Sequence, residues 1–110
     1  MVNIPFSHFS EVEIKIGTIL SAEPVEGSEK LLKLMVDFGE EEPRQILSGI
    51  AKYVDAEVLI GMQLPFVTNL EPREMLGMKS NGMLLAAHGQ EGAPVLLHPE
   101  KLVDPGSKVG

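Results

Sequence analysis

One stretch of alternating residues constrains the fold of this chain more than any other. Between residues 12 and 22, mostly apolar side chains recur at every second position: Val12, Ile14, Ile16, Thr18, Leu20 and Ala22. Alternation of period two is typical of a β-strand with one buried face. Gly17 falls inside it, and a glycine there indicates a bend or a bulge. A long strand that bends can serve both halves of a small closed barrel.

The rest of the chain predicts four more barrel strands, one short helix and a C-terminal extension. The strands are expected at residues 31–38, 44–49, 62–68 and 83–87. Between the third and fourth, residues 50–60 have apolar side chains at roughly helical spacing, and Gly61 closes this irregular helix. Pro65 removes a ladder donor from the fourth strand, which predicts an edge or a bulge. A compact apolar strand at 93–97 belongs to the extension.

This order of elements predicts an all-β chain, a five-stranded oligonucleotide-binding barrel with one short helix between strands three and four. Such barrels bind oligonucleotides on the outer face of strands two and three and in the loops after strands one and four. Residues 69–87 form the loop after strand four and the start of strand five, and they carry the donors Arg73, Lys79 and Ser80. Lys33 lies outward on strand two. These donors suit phosphates or base edges, although one fold hosts many functions.

Length and composition restrict the classes of protein to consider. The 110 residues make a single domain, 1–110, and 44% hydrophobic with 23% charged residues is globular composition. Without cysteine, neither disulfides nor thiolate metal sites can form. The sequence has no membrane-span-length apolar run and no signal-peptide pattern, which predicts a cytoplasmic protein with no membrane partner. The histidines lack metal-ligand spacing and no catalytic motif occurs, so we expect a non-catalytic module without metal or cofactor.

Charge limits how such a module could hold nucleic acid. Nine basic and sixteen acidic residues give a net charge of −7, the wrong sign for binding by bulk charge. The middle half of the chain nevertheless holds six of the basic residues: Lys30, Lys33, Arg44, Lys52, Arg73 and Lys79. A local positive patch on an acidic protein therefore predicts weak binding that falls steeply with salt.

Aromatic residues indicate the kind of nucleic acid. Proteins that follow single strands stack bases on exposed rings. Here aromatics are 5% of the chain, and most are expected in the core, with Phe6 and Phe9 turned inward from one helical turn. Recognition of a folded RNA by shape and backbone fits this composition better than stacking along an unstructured strand.

A known family shares these motifs. The chain resembles the tRNA-binding domain family in the pattern Asn69-Leu70-x-Pro72-Arg73-x-Met75-x-Gly77-x-x-Ser80-x-Gly82-Met83-Leu84-Leu85-Ala86-Ala87. Two upstream segments match as well, Lys30-Leu31-Leu32-Lys33-Leu34 and Arg44-Gln45-Ile46-Leu47-Ser48-Gly49-Ile50. Members are appended to many methionyl-tRNA synthetases, and others are free-standing tRNA-binding proteins or secretion-chaperone-like proteins.

The resemblance implies a tRNA ligand and a set of contact residues. By motif, the expected contacts are Lys33, Asn69, Arg73, Ser80 and Met83, and Lys79 joins them on charge grounds.

Structural alternatives exist for four of these side chains. Lys33 could be a solvated sheet residue, and Asn69 could cap the turn. Ser80 could bond a nearby backbone N–H, and Met83 could belong to the core.

Arg73 has acidic neighbours, Glu71 and Glu74, that could pair with it. An exposed ion pair is worth about 0–1 kcal/mol, little enough to be exchanged for RNA.

Two functions remain open at this point. The leading one is a tRNA-binding module, free-standing or the C-terminal appendage of methionyl-tRNA synthetase, with the synthetase's catalytic body as a further partner. The alternative is a protein-interaction or secretion-chaperone-like dimeric module. A homodimer is expected in either case, because strand five, residues 95–97, Val2 and Ile4 are more apolar than a barrel's surface.

Overall fold

The computed structural model describes residues 1–110, and most of its regular structure is β-strand. In chain order, the first half contains α1 (Phe6–Phe9), β1 (Ile14–Pro24), β2 (Leu32–Asp37), β3 (Arg44–Ser48) and α2 (Ala56–Leu59). The second half contains β4 (Gln63–Val67), β5 (Arg73–Met75), β6 (Met78–Ser80), β7 (Met83–Leu84), β8 (Ala86–His88), a 3-10 turn (Gln90–Gly92), β9 (Pro94–Leu96) and β10 (Lys108–Val109). No helix is long and apolar enough to cross a membrane.

Five antiparallel strands form a nearly closed barrel in the order β3-β2-β1-β4-β7. β1 is shared by both halves, since residues 18–24 pair with β2 while residues 14–18 pair with β4. The predicted all-β, five-stranded barrel is confirmed. The bend in β1 lies at Leu20, where the pairing with β2 shifts register between Ile19 and Ser21.

Gly17 therefore does not mark the bend, and its lack of a side chain has another structural reason. A Cβ at this position would collide with Val36 Cγ1 and would lie 2.7 Å from Phe38 Cε1. The glycine lets β1 approach the side chains of the core closely.

The core fills the barrel with aliphatic side chains and two rings. Leu32, Leu34 and Val36 are all buried, as the alternation in β2 predicts. The rings of Phe38 and Phe66 meet edge to face, with centroids 5.4 Å apart. Burying each such side chain is worth about 1.5–3 kcal/mol, so this cluster stabilises the barrel.

The predicted helix over residues 50–60 is wrong in extent. Only α2 is helical, and residues 51–53 form a turn before it. Asp55 separates the two with extended backbone at φ −70°, ψ 134°. The apolar side chains at helical spacing come from two separate turns, of which Leu59 in α2 is fully buried.

The predicted fifth strand, 83–87, is split in two. β7 pairs with β4, whereas β8 turns away to pair with β9. At the break, the N–H of Leu85 donates to the carbonyl of Pro65 at 3.0 Å, and proline has no N–H to return a bond. Pro65 ends the ladder there.

The sequence predicts an edge or a bulge at Pro65, and this residue is buried in β4 at the point where the ladder with β7 ends, since β7 pairs only with Phe66 and Val67. On the β1 side, Pro65 lies opposite Ile16, whose backbone groups are hydrogen-bonded to other residues. The N–H of Ile16 bonds the carbonyl of Ser107, and its carbonyl accepts from Gly106.

The barrel closes between β3 and the end of β6 through two hydrogen bonds, which we call the seam. The N–H of Asn81 donates to the carbonyl of Gln45 at 2.8 Å. The N–H of Leu47 donates to the side-chain Oγ of Ser80 at 2.9 Å. A side-chain hydroxyl thus replaces a ladder carbonyl at this point.

The C-terminal extension is bonded to the barrel. Gln63 donates from Nε2 to the carbonyl of Val103 at 2.6 Å and accepts the N–H of Val103 at Oε1, 3.0 Å away. Further along, Gly106 crosses the β2–β3 hairpin at Gly39. A Cβ on Gly106 would collide with the carbonyl of Phe38, and one on Gly39 would lie 2.7 Å from the carbonyl of Pro105. Both positions require glycine.

Candidate nucleic-acid interface

The loop after β4 carries a small hairpin, β5–β6, that the sequence did not predict. Arg73 lies opposite Ser80, and Glu74 lies opposite Lys79. The turn has positive φ at Leu76 (49°) and Gly77 (76°). The hairpin is fixed to β3, because Gln45 Nε2 donates to the carbonyl of Lys79 at 2.9 Å. Its charged side chains are therefore presented on ordered backbone.

Arg73 and Lys79 are both exposed on this hairpin. Neither has an ion pair, since the three salt bridges in the molecule are Lys15–Glu13, Lys33–Glu23 and Arg44–Glu40. The suggested pairing of Arg73 with Glu71 or Glu74 is not formed. Two cations on one hairpin are thus free to meet an anion.

Ser80 is 2% exposed and lies in the seam. Besides accepting the N–H of Leu47, its hydroxyl donates to the carbonyl of Gly82 at 3.0 Å. The hydroxyl of Ser80 is thus engaged within the protein, with an N–H of β3 and a carbonyl of its own loop. This hydroxyl holds the hairpin against β3.

Asn69 ties the base of the same loop to the segment before β1. Its Oδ1 accepts the N–H of Glu13 at 2.7 Å, and its Nδ2 donates to the carbonyl of Glu11 at 2.6 Å. Both ends of the amide are engaged, so the side chain fixes where the loop leaves the barrel.

Lys33 and Met83 lie on the outside of the barrel. Lys33 Nζ is 2.7 Å from Glu23 Oε1, its cross-strand neighbour on β1. The glutamate side chain is 61% exposed, so this pair contributes little to stability. Met83 is 39% exposed at the start of β7, not in the core.

An open groove of about 860 Å³ runs between the β2–β3 hairpin tip and the β5–β6 hairpin. Its lining contains no hydrophobic side chain: Glu40, Glu41, Glu42, Pro43, Arg44, Gln45, Pro72, Lys79 and Asn81. The acidic tip forms one wall and Lys79 belongs to the other. An anionic ligand is therefore attracted at one side of this groove and repelled at the other.

Arg44 is the positioning residue that the sequence analysis missed. Its guanidinium donates twice to Glu40, at 2.8 and 2.7 Å, and once to the carbonyl of Thr68 at 2.6 Å. It also lies over the ring of Phe38, 5.5 Å from the centroid. Arg44 thereby joins the hairpin tip to the end of β4, next to Asn69. The four-residue spacing to Glu40 across the hairpin was the signal for this ion pair.

Two carboxylates in this region have altered acidity. The hydrogen bond from Arg44 lowers the pKa of Glu40, and one from Thr68 Oγ1, at 2.7 Å, lowers the pKa of Glu13. The pKa of Arg44 is raised by its bond to Glu40. These charges stabilise the base of the loop. No cluster of three or more histidine and carboxylate side chains is arranged to hold a metal ion.

The expectation that most aromatic side chains lie in the core is wrong. Phe38 and Phe66 are buried, but Phe6 is 79%, Phe9 45% and Tyr53 58% exposed. α1 has no buried residue, because no other element of the chain covers the N-terminal segment.

A barrel of this kind, with unpaired cations on its loop hairpin, defines a nucleic-acid-binding class of domain. The chain matches the family described as "Putative tRNA binding domain" over residues 14–108, and it belongs to that family.

Among the relatives and solved structures similar to this chain, some are named after methionyl-tRNA synthetase and others as a chaperone. A methionine–tRNA ligase of Methanococcoides burtonii is 49% identical over 104 residues, 94% of this chain and 15% of the ligase. A MetRS-related protein from Pyrococcus horikoshii has a TM-score of 0.93 and 35% identity, with all of both chains covered. The chaperone CsaA from Bacillus anthracis has a TM-score of 0.89 and 31% identity, covering 99% of this chain and 100% of its own. The chain spans about 15% of the length of the ligases it matches.

Proposed function

We propose that this domain is a non-catalytic binding module for tRNA, recognised by shape and backbone. The observation that carries the proposal is the hairpin of a tRNA-binding-domain member on which Arg73 and Lys79 are exposed without ion pairs. The guanidinium of Arg73 can hold a phosphate through two parallel bonds, and Lys79 adds a point charge. Phosphate contacts of this kind position an RNA on a protein.

The other predicted residues divide into contacts and supports. On binding, Lys33 leaves its ion pair with Glu23 and forms one with a phosphate. Met83 offers an apolar surface beside the hairpin. Asn69 and Ser80 act by holding the hairpin in place, since their polar atoms are engaged within the protein. Because the net charge is −7, binding is confined to this patch and weakens steeply with salt.

The module works either alone or as the appendage of a methionyl-tRNA synthetase. Joined to a catalytic body, a second tRNA-binding surface raises the local concentration of tRNA, so that avidity exceeds either affinity. The similarity to methionine–tRNA ligases and to a MetRS-related protein supports both settings. The cytoplasm, where such synthetases act, is the compartment that goes with this proposal.

A homodimer is part of the proposal. Val2, Ile4 and Phe6 are largely exposed near the N-terminus, and Leu102 is 83% exposed in the C-terminal extension. Exposed apolar surface of this kind usually marks an interface. Light scattering on a size-exclusion peak should give twice the 11.9 kDa of one chain. A single species at the mass of one chain would refute the dimer.

The exposed apolar surface also favours a second candidate, a protein-interaction module like the chaperone CsaA. Such a module would bind another protein through exposed apolar side chains and would not depend on Arg73.

The deciding experiment is a salt-titrated binding assay with bulk tRNA and an unstructured RNA of equal length. Arg73→Ala should weaken tRNA binding by about 1–3 kcal/mol, the range for a charge-assisted hydrogen bond. Lys101→Ala, another exposed cation without an ion pair, should change little. Equal binding by the two variants would place the site elsewhere, and absence of tRNA binding would favour the interaction module.

A further inference from the structure

A second groove, of about 380 Å³, lies between the β3–α2 connection and the β8–β9 hairpin. It is lined by Gly49, Ile50, Tyr53, Leu84, Ala86, Ala87, His88, Gly92 and Pro94. Gly49 directly follows β3, and Leu84 directly follows Met83. Along the chain, the groove is therefore adjacent to β3 and to Met83 of the proposed tRNA surface.

Tyr53 is the aromatic wall of this groove. Its backbone N–H bonds the carbonyl of Ile50 at 2.9 Å, which fixes the turn that presents it. The side chain is 58% exposed, and its ring stacks on no other ring, since the two aromatic pairs in the molecule are formed by phenylalanines. One face of a ring is thus available in a concave site.

The electrostatic setting of this groove differs from that of the larger groove beside β5–β6. Its lining has no carboxylate, although the chain carries sixteen, whereas the larger groove beside β5–β6 includes three glutamates. Lys52 precedes Tyr53, and the N–H of Ala51 bonds the carbonyl of Lys30 at 3.0 Å, which holds the β1–β2 loop beside the groove. Neither lysine is in an ion pair.

The lining is open to a flat ligand. Gly49, Ala86, Ala87 and Gly92 carry little or no side chain, and a Cβ placed on Gly49 or Gly92 would meet nothing within 4 Å. His88 is exposed at the rim and adds a hydrogen-bonding group. A planar ring with a polar edge fits such a site better than an extended aliphatic chain does.

We propose that this groove takes one unpaired nucleobase of the tRNA bound on the neighbouring surface. The base stacks on the ring of Tyr53, and its flanking phosphates face Lys30 and Lys52. This inference rests on the proposed function, and it adds a base contact to a surface otherwise described by phosphate contacts. Unpaired bases that stack on aromatic side chains are a general mode of RNA recognition.

The chain provides its own probe, because Tyr53 is the single tyrosine and there is no tryptophan. Tyrosine fluorescence lifetime therefore reports on this ring alone and is insensitive to absorption by added RNA. We expect bulk tRNA, and adenosine monophosphate at millimolar concentration, to shorten the lifetime. Tyr53→Ala should weaken tRNA binding about 5- to 150-fold, the effect of losing one stacked base.

Two further variants make the test specific. Tyr53→Phe keeps a stacking ring and should retain most of the affinity. Val58→Ala, at an exposed apolar position on α2 outside the groove, should leave affinity unchanged.

The outcomes separate this inference from the proposed function. If tRNA binds through Arg73 but neither tRNA nor adenosine monophosphate changes the lifetime, the groove is refuted and the tRNA-binding module stands. If tRNA fails to bind at all, the proposed function is refuted, and with it the assignment of a tRNA base to this groove. Equal affinity for tRNA in the alanine and wild-type proteins also overturns the inference.

Discussion

Arg44 and Glu40 meet in a two-pronged contact, with Nε 2.8 Å from Oε1 and Nη2 2.7 Å from Oε2. The remaining nitrogen, Nη1, bonds the carbonyl of Thr68. One side chain therefore connects the β2–β3 hairpin with the start of the loop that carries Arg73.

We expect Arg44→Lys to lower the free energy of unfolding by about 1–3 kcal/mol, because an ammonium cannot reproduce three bonds in a fixed fork. Urea denaturation measures this. Lys15→Ala removes a different partly exposed ion pair, the one with Glu13, and should cost less than about 1 kcal/mol. Equal losses in the two variants would mean that the fork geometry has no special role.

Acid should weaken the fold through Glu40 and Glu13, whose pKa values lie below the ordinary 4.5. A carboxyl group with a lower pKa in the folded chain stabilises it above the unfolded value, and that stability is lost as pH falls through the folded value. The free energy of unfolding should therefore drop between about pH 5 and pH 3. The double variant Glu40→Gln/Glu13→Gln should show a shallower slope in urea titrations over this range. A slope identical to wild type would contradict the assignment.

Ser80→Ala should destabilise the barrel by about 1–3 kcal/mol, because it leaves the buried N–H of Leu47 without an acceptor. Thermal and urea unfolding measure the loss. Ser21→Ala, on the exposed side of β1 and without a side-chain hydrogen bond, is the matched control and should stay within about 0.5 kcal/mol of wild type. If Ser80→Ala unfolds like wild type, the seam does not depend on its hydroxyl.

Gly106→Ala and Gly61→Ala form a pair that separates backbone strain from collision. Both glycines have positive φ, 91° and 89°, so alanine is strained at each by about 1 kcal/mol. Only at position 106 does the added Cβ meet the backbone, at the carbonyl of Phe38, whereas at 61 nothing lies within 4 Å. Gly106→Ala should therefore lose clearly more stability in urea unfolding. Similar losses at the two sites would show that the crossing is loose.

The barrel could be predicted from sequence because its strands follow side-chain alternation. Leu32, Leu34 and Val36 face the core as their spacing requires, and the shared strand β1 follows from its length. The split after β7 could not be predicted, because it depends on Pro65 lying opposite Leu85, a pairing of distant residues. The exposure of Tyr53 was not predicted, because the apolar residues at helical spacing between 50 and 60 belong to two separate turns and not to one helix.

The candidate site was only partly predictable for a similar reason. The motif pointed to Arg73 on the loop, and charge alone added Lys79. It could not reveal that Ser80 and Asn69 point back into the protein, since their partners, Leu47, Glu11 and Glu13, lie 33 to 58 residues away. The role of Arg44 was missed because its bond to the carbonyl of Thr68, 24 residues away, is also set by tertiary structure.

The seam has a consequence for how this family's signature should be interpreted. The segment from Lys79 to Gly82 belongs both to the hairpin that presents cations and to the closure of the barrel. A lineage that changed its ligand would still have to keep Ser80 or rebuild the joint with β3. The residues of the signature thus serve the architecture as well as the surface, whatever that surface binds. Proteins named as synthetase-related and as chaperones share this architecture.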